Sequence, residues 1–122
     1  MTMDNFDEII DNTRKNFDER TKVRDETLVQ ARTLTRLSAL TIRAIHRSES
    51  AEAMDLLNEA HLLVLKIQRD LAPYPDLYHT GYTQDAIKEF AEASLTCALI
   101  ENRRNPNGYR LCLRPDEIRI FA

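Results

Sequence analysis

Asp85, Glu89 and Glu92, in the stretch "QDAIKEFAEASL" (84–95), bring three carboxylates together if that stretch is helical. At about 100° per residue they fall within roughly 60° of one another. A hard divalent cation such as Mg²⁺ takes carboxylate oxygens, and one or two carboxylates plus water and substrate phosphate suffice. The same three residues also suit the wet side of a soluble helix, where Lys88 stands four residues before Glu92 and can pair with it. The residues that follow, Leu95, Cys97, Ala98, Leu99 and Ile100, leave little of the helix polar. A helix apolar nearly all round is buried, so the acidic stripe is expected to face an enclosed space. Carboxylates gathered there require a cation or a basic partner.

A second stripe is basic. "TLVQARTLTRLSALTIRAIHRS" (27–48) contains no acid. On a helix Arg32, Arg36, Arg43 and Arg47 fall within about 60°, opposite Leu34, Ala44 and Ile45. The planar guanidinium donates two parallel hydrogen bonds to a phosphate, and a row of one sign is a nucleic-acid footprint. The competing reading is salt bridging to the acidic second helix through Glu49, Glu52, Asp55 and Glu59.

His46, His61 and His79 show no metal-ligand spacing, and His61 lies on an apolar stripe, as a core histidine does. Tyr74, Tyr78 and Tyr82 can stack on bases or close a loop over helix ends. Cys97 and Cys112 are far apart, make no zinc site on their own and are expected reduced. No nucleophile elbow, P-loop or glycine-rich dinucleotide motif is present.

The elements that carry these stripes are helices. Glycine occurs twice and the first proline is Pro73. A helix over about 3–47 would run roughly 65 Å, longer than a compact domain of this size. It must bend, with polar 18–25 the candidate place, or pack against partner chains. "RSES" (47–50) breaks it, and Ser50 is the expected N-cap of a second helix over 51–71. That helix places Ala53, Met54, Leu57, Ala60, His61, Val64, Ile67 and Leu71 on one face. "APYPDLYHTGYT" (72–83) reads as a loop. Thr83 is the expected cap of a third helix running to about Asn102, with Asp85 against its N-terminal dipole. "NPNG" (105–108) is a turn, and the tail beyond it a short strand or an irregular arm.

The 122 residues suit one domain, and 43% hydrophobic with 30% charged residues fits a folded chain. No apolar run approaches the roughly 18 residues that span a bilayer, and "MTMDNFDEII" reads as no secretory signal. A net charge of −3 gives no global field for nucleic acid, so binding would need a local patch.

"RDETLVQARTLTRLSALTIRAIHR" (24–47) followed by "TGYTQDAIKEFAEASLTCALIE" (80–101) resembles the translin superfamily, most closely its translin-associated factor X branch. The resemblance covers about two-thirds of the chain, and "TG…KEFAEA" is its more specific part. It implies an all-α fold of long antiparallel helices, assembly into hollow homo-oligomers, and binding of single-stranded RNA and DNA. It also implies RNA cleavage with Mg²⁺ (or Mn²⁺), with the two glutamates of the "EFAEA" motif, here Glu89 and Glu92, as catalytic metal ligands. The family's next helix carries a "GEL"-type motif that completes the acidic site. This sequence runs instead to "RPDEIRIFA", and Asp116 and Glu117 lack that motif's spacing.

The sequence therefore reads as a truncated translin-like bundle: an N-terminal extension over 1–23, a core over 24–102 and an irregular tail over 103–122. The expected function is cytoplasmic single-stranded RNA or DNA binding, with an incomplete Mg²⁺-dependent endoribonuclease site. Arg32, Arg36, Arg43 and Arg47 hold phosphates, and Asp85, Glu89 and Glu92 hold the ion. The alternative is a non-catalytic binding or structural oligomerisation module.

Overall fold

A computed structural model describes residues 3–104 of the chain, and these form four helices with no strand among them. They are α1 (Met3–His46), α2 (Ser50–Leu71), a single turn α3 (Pro75–Tyr78) and α4 (Gly81–Arg104). The expected turn over 105–108, the tail, Cys112, Asp116 and Glu117 lie outside the described residues. Arg103 and Arg104, expected in the tail, continue α4.

α1 does not bend. Its 44 residues contain neither glycine nor proline, and 18–25 carries Asp18 and Lys22 at the i,i+4 spacing that favours a helix. A Schellman turn stops it: Glu49 N–H donates to the Ala44 carbonyl at 3.0 Å and Ser48 N–H to that of Ile45 at 3.2 Å. Ser48 sits at φ 66°, the left-handed position that glycine usually fills. α2 begins at Ser50 itself, one residue earlier than expected, and Glu49 holds the cap position. The Ser50 hydroxyl is bonded instead to the Glu101 carboxylate of α4.

α1 and α2 are antiparallel, as are α2 and α4, so α1 and α4 run in the same direction. Arg104 accordingly reaches the Ile45 carbonyl at the shared C-terminal end. α1 makes the two extensive interfaces, one with each of the other long helices. Leu34 and Ile45 from α1, Leu57, Ile67 and Leu71 from α2, and Phe90 from α4 are the large side chains fully buried between them. Small residues along α1, Thr27, Ala31, Ser38 and Thr41, are buried as well, and they let the helix axes approach. Ser38 and Thr41 satisfy their hydroxyls on the carbonyls of Leu34 (2.8 Å) and Leu37 (2.7 Å).

The start of α4 is set by the loop before it. Thr80, not Thr83, holds the cap position, and its carbonyl accepts from Gln84 N–H at 3.0 Å. Thr83 lies inside the first turn and is buried, with its hydroxyl 3.0 Å from that of Thr80 and 3.2 Å from the Leu77 carbonyl. Gln84 Nε2 donates to the Tyr78 carbonyl at 2.7 Å. The helix therefore opens at Gly81, and Asp85 stands one turn in rather than at the positive end of the dipole.

α4 buries one face only: Thr83, Ala86, Ile87, Phe90, Ala93, Ser94 and Cys97. Leu95 is 53% exposed and Leu99 64% exposed. Among the described residues no helix is long and apolar enough to cross a membrane.

Candidate nucleic-acid and metal site

Because α1 and α4 run side by side in the same direction, residues 28–35 lie along 82–89. Ala31 and Ala86, both buried, are too small to fill the space between the helices. A groove of about 500 Å³ results, with Leu28, Ala31 and Ala86 as its apolar floor. Arg32 and Thr35 line it from α1, and Tyr82, Asp85 and Glu89 from α4. One member of the basic row thus shares a groove with two members of the acidic stripe. Arg32 forms no ion pair with either carboxylate among the described residues. Opposite charges held apart across an open groove leave room for a ligand that carries both signs.

Tyr82 adds a polar group that the sequence reading assigned to base stacking or loop closure. Its ring is half-buried against the core, and its hydroxyl is shielded from solvent without a hydrogen-bond partner among the described residues. Tyr74 and Tyr78 also pack on the core, as loop-closing residues do, and Arg20 lies over the Tyr74 ring at 6.0 Å.

The acidic stripe does not face an enclosed space within the chain. Asp85, Glu89 and Glu92 are all exposed, because the burying face of α4 lies on the Ala86, Phe90 and Ala93 side. Glu92 stands outside the groove lining. Lys88 forms no ion pair with it among the described residues. Among these residues no three His, Cys, Asp or Glu side chains come together closely enough to hold a metal ion. Asp85 and Glu89 stand one helical turn apart and form no ion pair among the described residues.

The basic row is exposed along its whole length. Arg47 pairs with Glu49, the cap residue of α2, at 3.1 Å. Arg32, Arg36 and Arg43 form no ion pair among the described residues. Glu49 and Glu52 share a hydrogen bond, which lowers the Glu49 pKa, helped by Arg47, and raises that of Glu52.

The histidines stand apart from the groove lining. His46 is exposed near the end of α1, and His79 lies edge-on to Tyr78. His61 is half-buried and stacks on Phe90 with ring centres 6.0 Å apart, as expected of a core histidine. Compared with family models, with curated proteins and with solved structures, the chain matches none of them.

Proposed function

We propose that this chain binds single-stranded nucleic acid, RNA foremost, as a translin-type helical module of the cytoplasm. The observation that carries the reading is the row of Arg32, Arg36 and Arg43, exposed on one side of α1 with no carboxylate neutralising any of the three among the described residues. Three such arginines present guanidinium forks at intervals along a helix, which suits successive phosphates. At the groove, Arg32 binds a phosphate from one side. Tyr82 can donate its hydroxyl to the same group once its side chain turns to uncover it, and the apolar floor of Leu28, Ala31 and Ala86 accepts a sugar or base edge.

The catalytic extension of this reading rests on the resemblance to the factor X branch. By that resemblance Glu89 and Glu92 would hold Mg²⁺ or Mn²⁺, and Asp85, on the same stripe, would join Glu89 at the groove. A bound ion would supply Lewis acidity and a water of lowered pKa for phosphodiester cleavage. Arg32 would orient the scissile phosphate from the opposite side of the groove from Asp85 and Glu89. The absence of a three-ligand cluster among the described residues favours a second reading, binding without cleavage, on the same surface.

The test is the affinity for a fluorescent single-stranded RNA as a function of salt. Each phosphate neutralised contributes a slope of about −0.7 in log K against log salt. The triple variant Arg32→Ala, Arg36→Ala, Arg43→Ala should lower the slope by about 2. No binding of the wild-type chain at low salt refutes the proposal. Mg²⁺-dependent cleavage lost in Glu89→Gln supports the catalytic form; no cleavage, or cleavage equal in the wild type and the variant, leaves the binding form alone.

A further inference from the structure

The N-terminal part of α1 carries a seam with no partner among the described residues. Every residue over 3–22 is exposed. Apolar side chains nevertheless recur there at coiled-coil spacing: Met3, Phe6, Ile10 and Phe17, with Thr13 between the last two and Ile9 on the flank. Met3 is 81% and Phe17 69% exposed.

The same alternation of three and four residues continues through the rest of the helix. It runs through Arg20 and Arg24 to Thr27, Ala31, Leu34, Ser38, Thr41 and Ile45. All six of these last residues are buried against the bundle. α1 thus presents one continuous seam, filled by α2 and α4 over its C-terminal half and open over its N-terminal half. Arg20 marks the edge, held by an ion pair to Asp76 and by the Tyr74 ring. Beyond it, residues 3–19 extend about 25 Å at 1.5 Å per residue.

We infer that the segment 3–20 pairs antiparallel with the same segment of a second copy of this chain. Charge selects both the occupant and the direction. Asp4, Asp7, Glu8 and Asp11 occupy the first part of the segment with no base among them; in the second part Arg14, Lys15 and Arg20 outnumber Asp18 and Glu19. A parallel pair sets acid beside acid. An antiparallel pair centred between residues 11 and 12 sets Phe17 on Phe6 of the second copy and Ile10 on its Thr13. Asp7 and Arg14, both on the same flank of the seam, then face each other twice. The direction also keeps the two bundles at opposite ends of the rod, where they do not collide.

The area suffices. Five large apolar side chains, Met3, Phe6, Ile9, Ile10 and Phe17, expose roughly 100 Å² each. Two copies then cover about 1,000 Å² of apolar surface, near the lower bound of a specific interface. The segment lies before the stretch that carries the translin resemblance, and the inference is independent of nucleic-acid binding.

The test is the mass of the full chain by analytical ultracentrifugation from about 1 to about 100 µM, a range that brackets a micromolar dimer. The wild type should reach twice its 14.2 kDa as concentration rises. Phe6→Asp with Phe17→Asp should raise the dissociation constant about 100-fold or more. Its far-UV circular dichroism should retain a folded bundle, since both residues are exposed. Asp7→Arg alone should weaken the dimer, and adding Arg14→Asp should restore it. A wild type that stays at 14.2 kDa throughout overturns the inference, as does a double aspartate variant that associates like the wild type. Failure of the charge swap to restore pairing overturns the antiparallel arrangement.

Discussion

Replacing Tyr82 by phenylalanine should make the free protein more stable and its ligand complex weaker. The hydroxyl is shielded from solvent and has no hydrogen-bond partner among the described residues, while the ring packs on the core. An unsatisfied buried hydroxyl costs about 1–3 kcal/mol, and phenylalanine keeps the ring and removes the cost. Because Tyr82 is half-buried rather than fully enclosed, the lower end applies, a gain of about 1 kcal/mol. For a domain of this size that raises Tm by about 4–8 °C. In the complex a turn of the Tyr82 side chain that uncovers the hydroxyl lets it donate to a phosphate oxygen beside Arg32. A hydrogen bond to a charged group contributes about 1.5–3 kcal/mol, so affinity for single-stranded RNA should fall roughly 10- to 100-fold. The assays are urea unfolding followed by circular dichroism and fluorescence anisotropy with labelled RNA, both on wild type and Tyr82→Phe. Opposite signs in the two assays identify a hydroxyl kept for a ligand. A loss of stability of 1 kcal/mol or more would show that the hydroxyl already has a partner in the folded chain, and the reasoning about the groove would fail.

Ser48→Gly should stabilise the chain by about 0.5–1 kcal/mol, because glycine occupies the left-handed turn without the Cβ penalty; Ser48→Ala should not, and chemical denaturation of both checks this. The glycine variant gives up the 3.0 Å bond from Arg104 to the Ser48 hydroxyl, which is exposed and contributes less. Phe90→Ala should cost about 3–5 kcal/mol, since the ring is fully buried and stacks on His61. That is a large share of the roughly 5–15 kcal/mol a domain has, so a broad or absent unfolding transition is expected, and a cost under about 1 kcal/mol would contradict the core assignment. In a carboxyl NMR titration Glu52 should protonate before Glu49 as pH falls, the reverse order refuting their shared hydrogen bond. By linkage, Glu49 then adds stability above the usual carboxylate range that is lost on acidification, while Glu52 has the opposite sign.

The helical architecture was legible because its signals are local. The three-four spacing from Ala53 to Leu71 gave α2, and the scarcity of glycine and proline gave an unbroken α1. The start of α4 was not legible, since it depends on hydroxyls of Thr80 and Thr83 meeting a carbonyl several residues back. The burial of α4 was overread: Leu95 and Leu99 look like core residues, yet the helix meets α1 and α2 mostly through small residues such as Ala86, Ala93 and Ser94. Each stripe was found from its own helix alone. That Arg32 would share a groove with Asp85 and Glu89 follows from the register of α1 against α4, which no periodicity within one helix encodes.

Two of the three long helices point the same way, so their peptide dipoles add and α2 cancels only one of them. The molecule is therefore electrically polarised along its long axis, with the partial negative charge of two helix termini gathered at one tip. The cationic side chains of that tip, Arg43 on α1 and Arg103 and Arg104 on α4, balance it. A polyanion laid along α1 would accordingly be drawn to the tip less than the arginines there suggest.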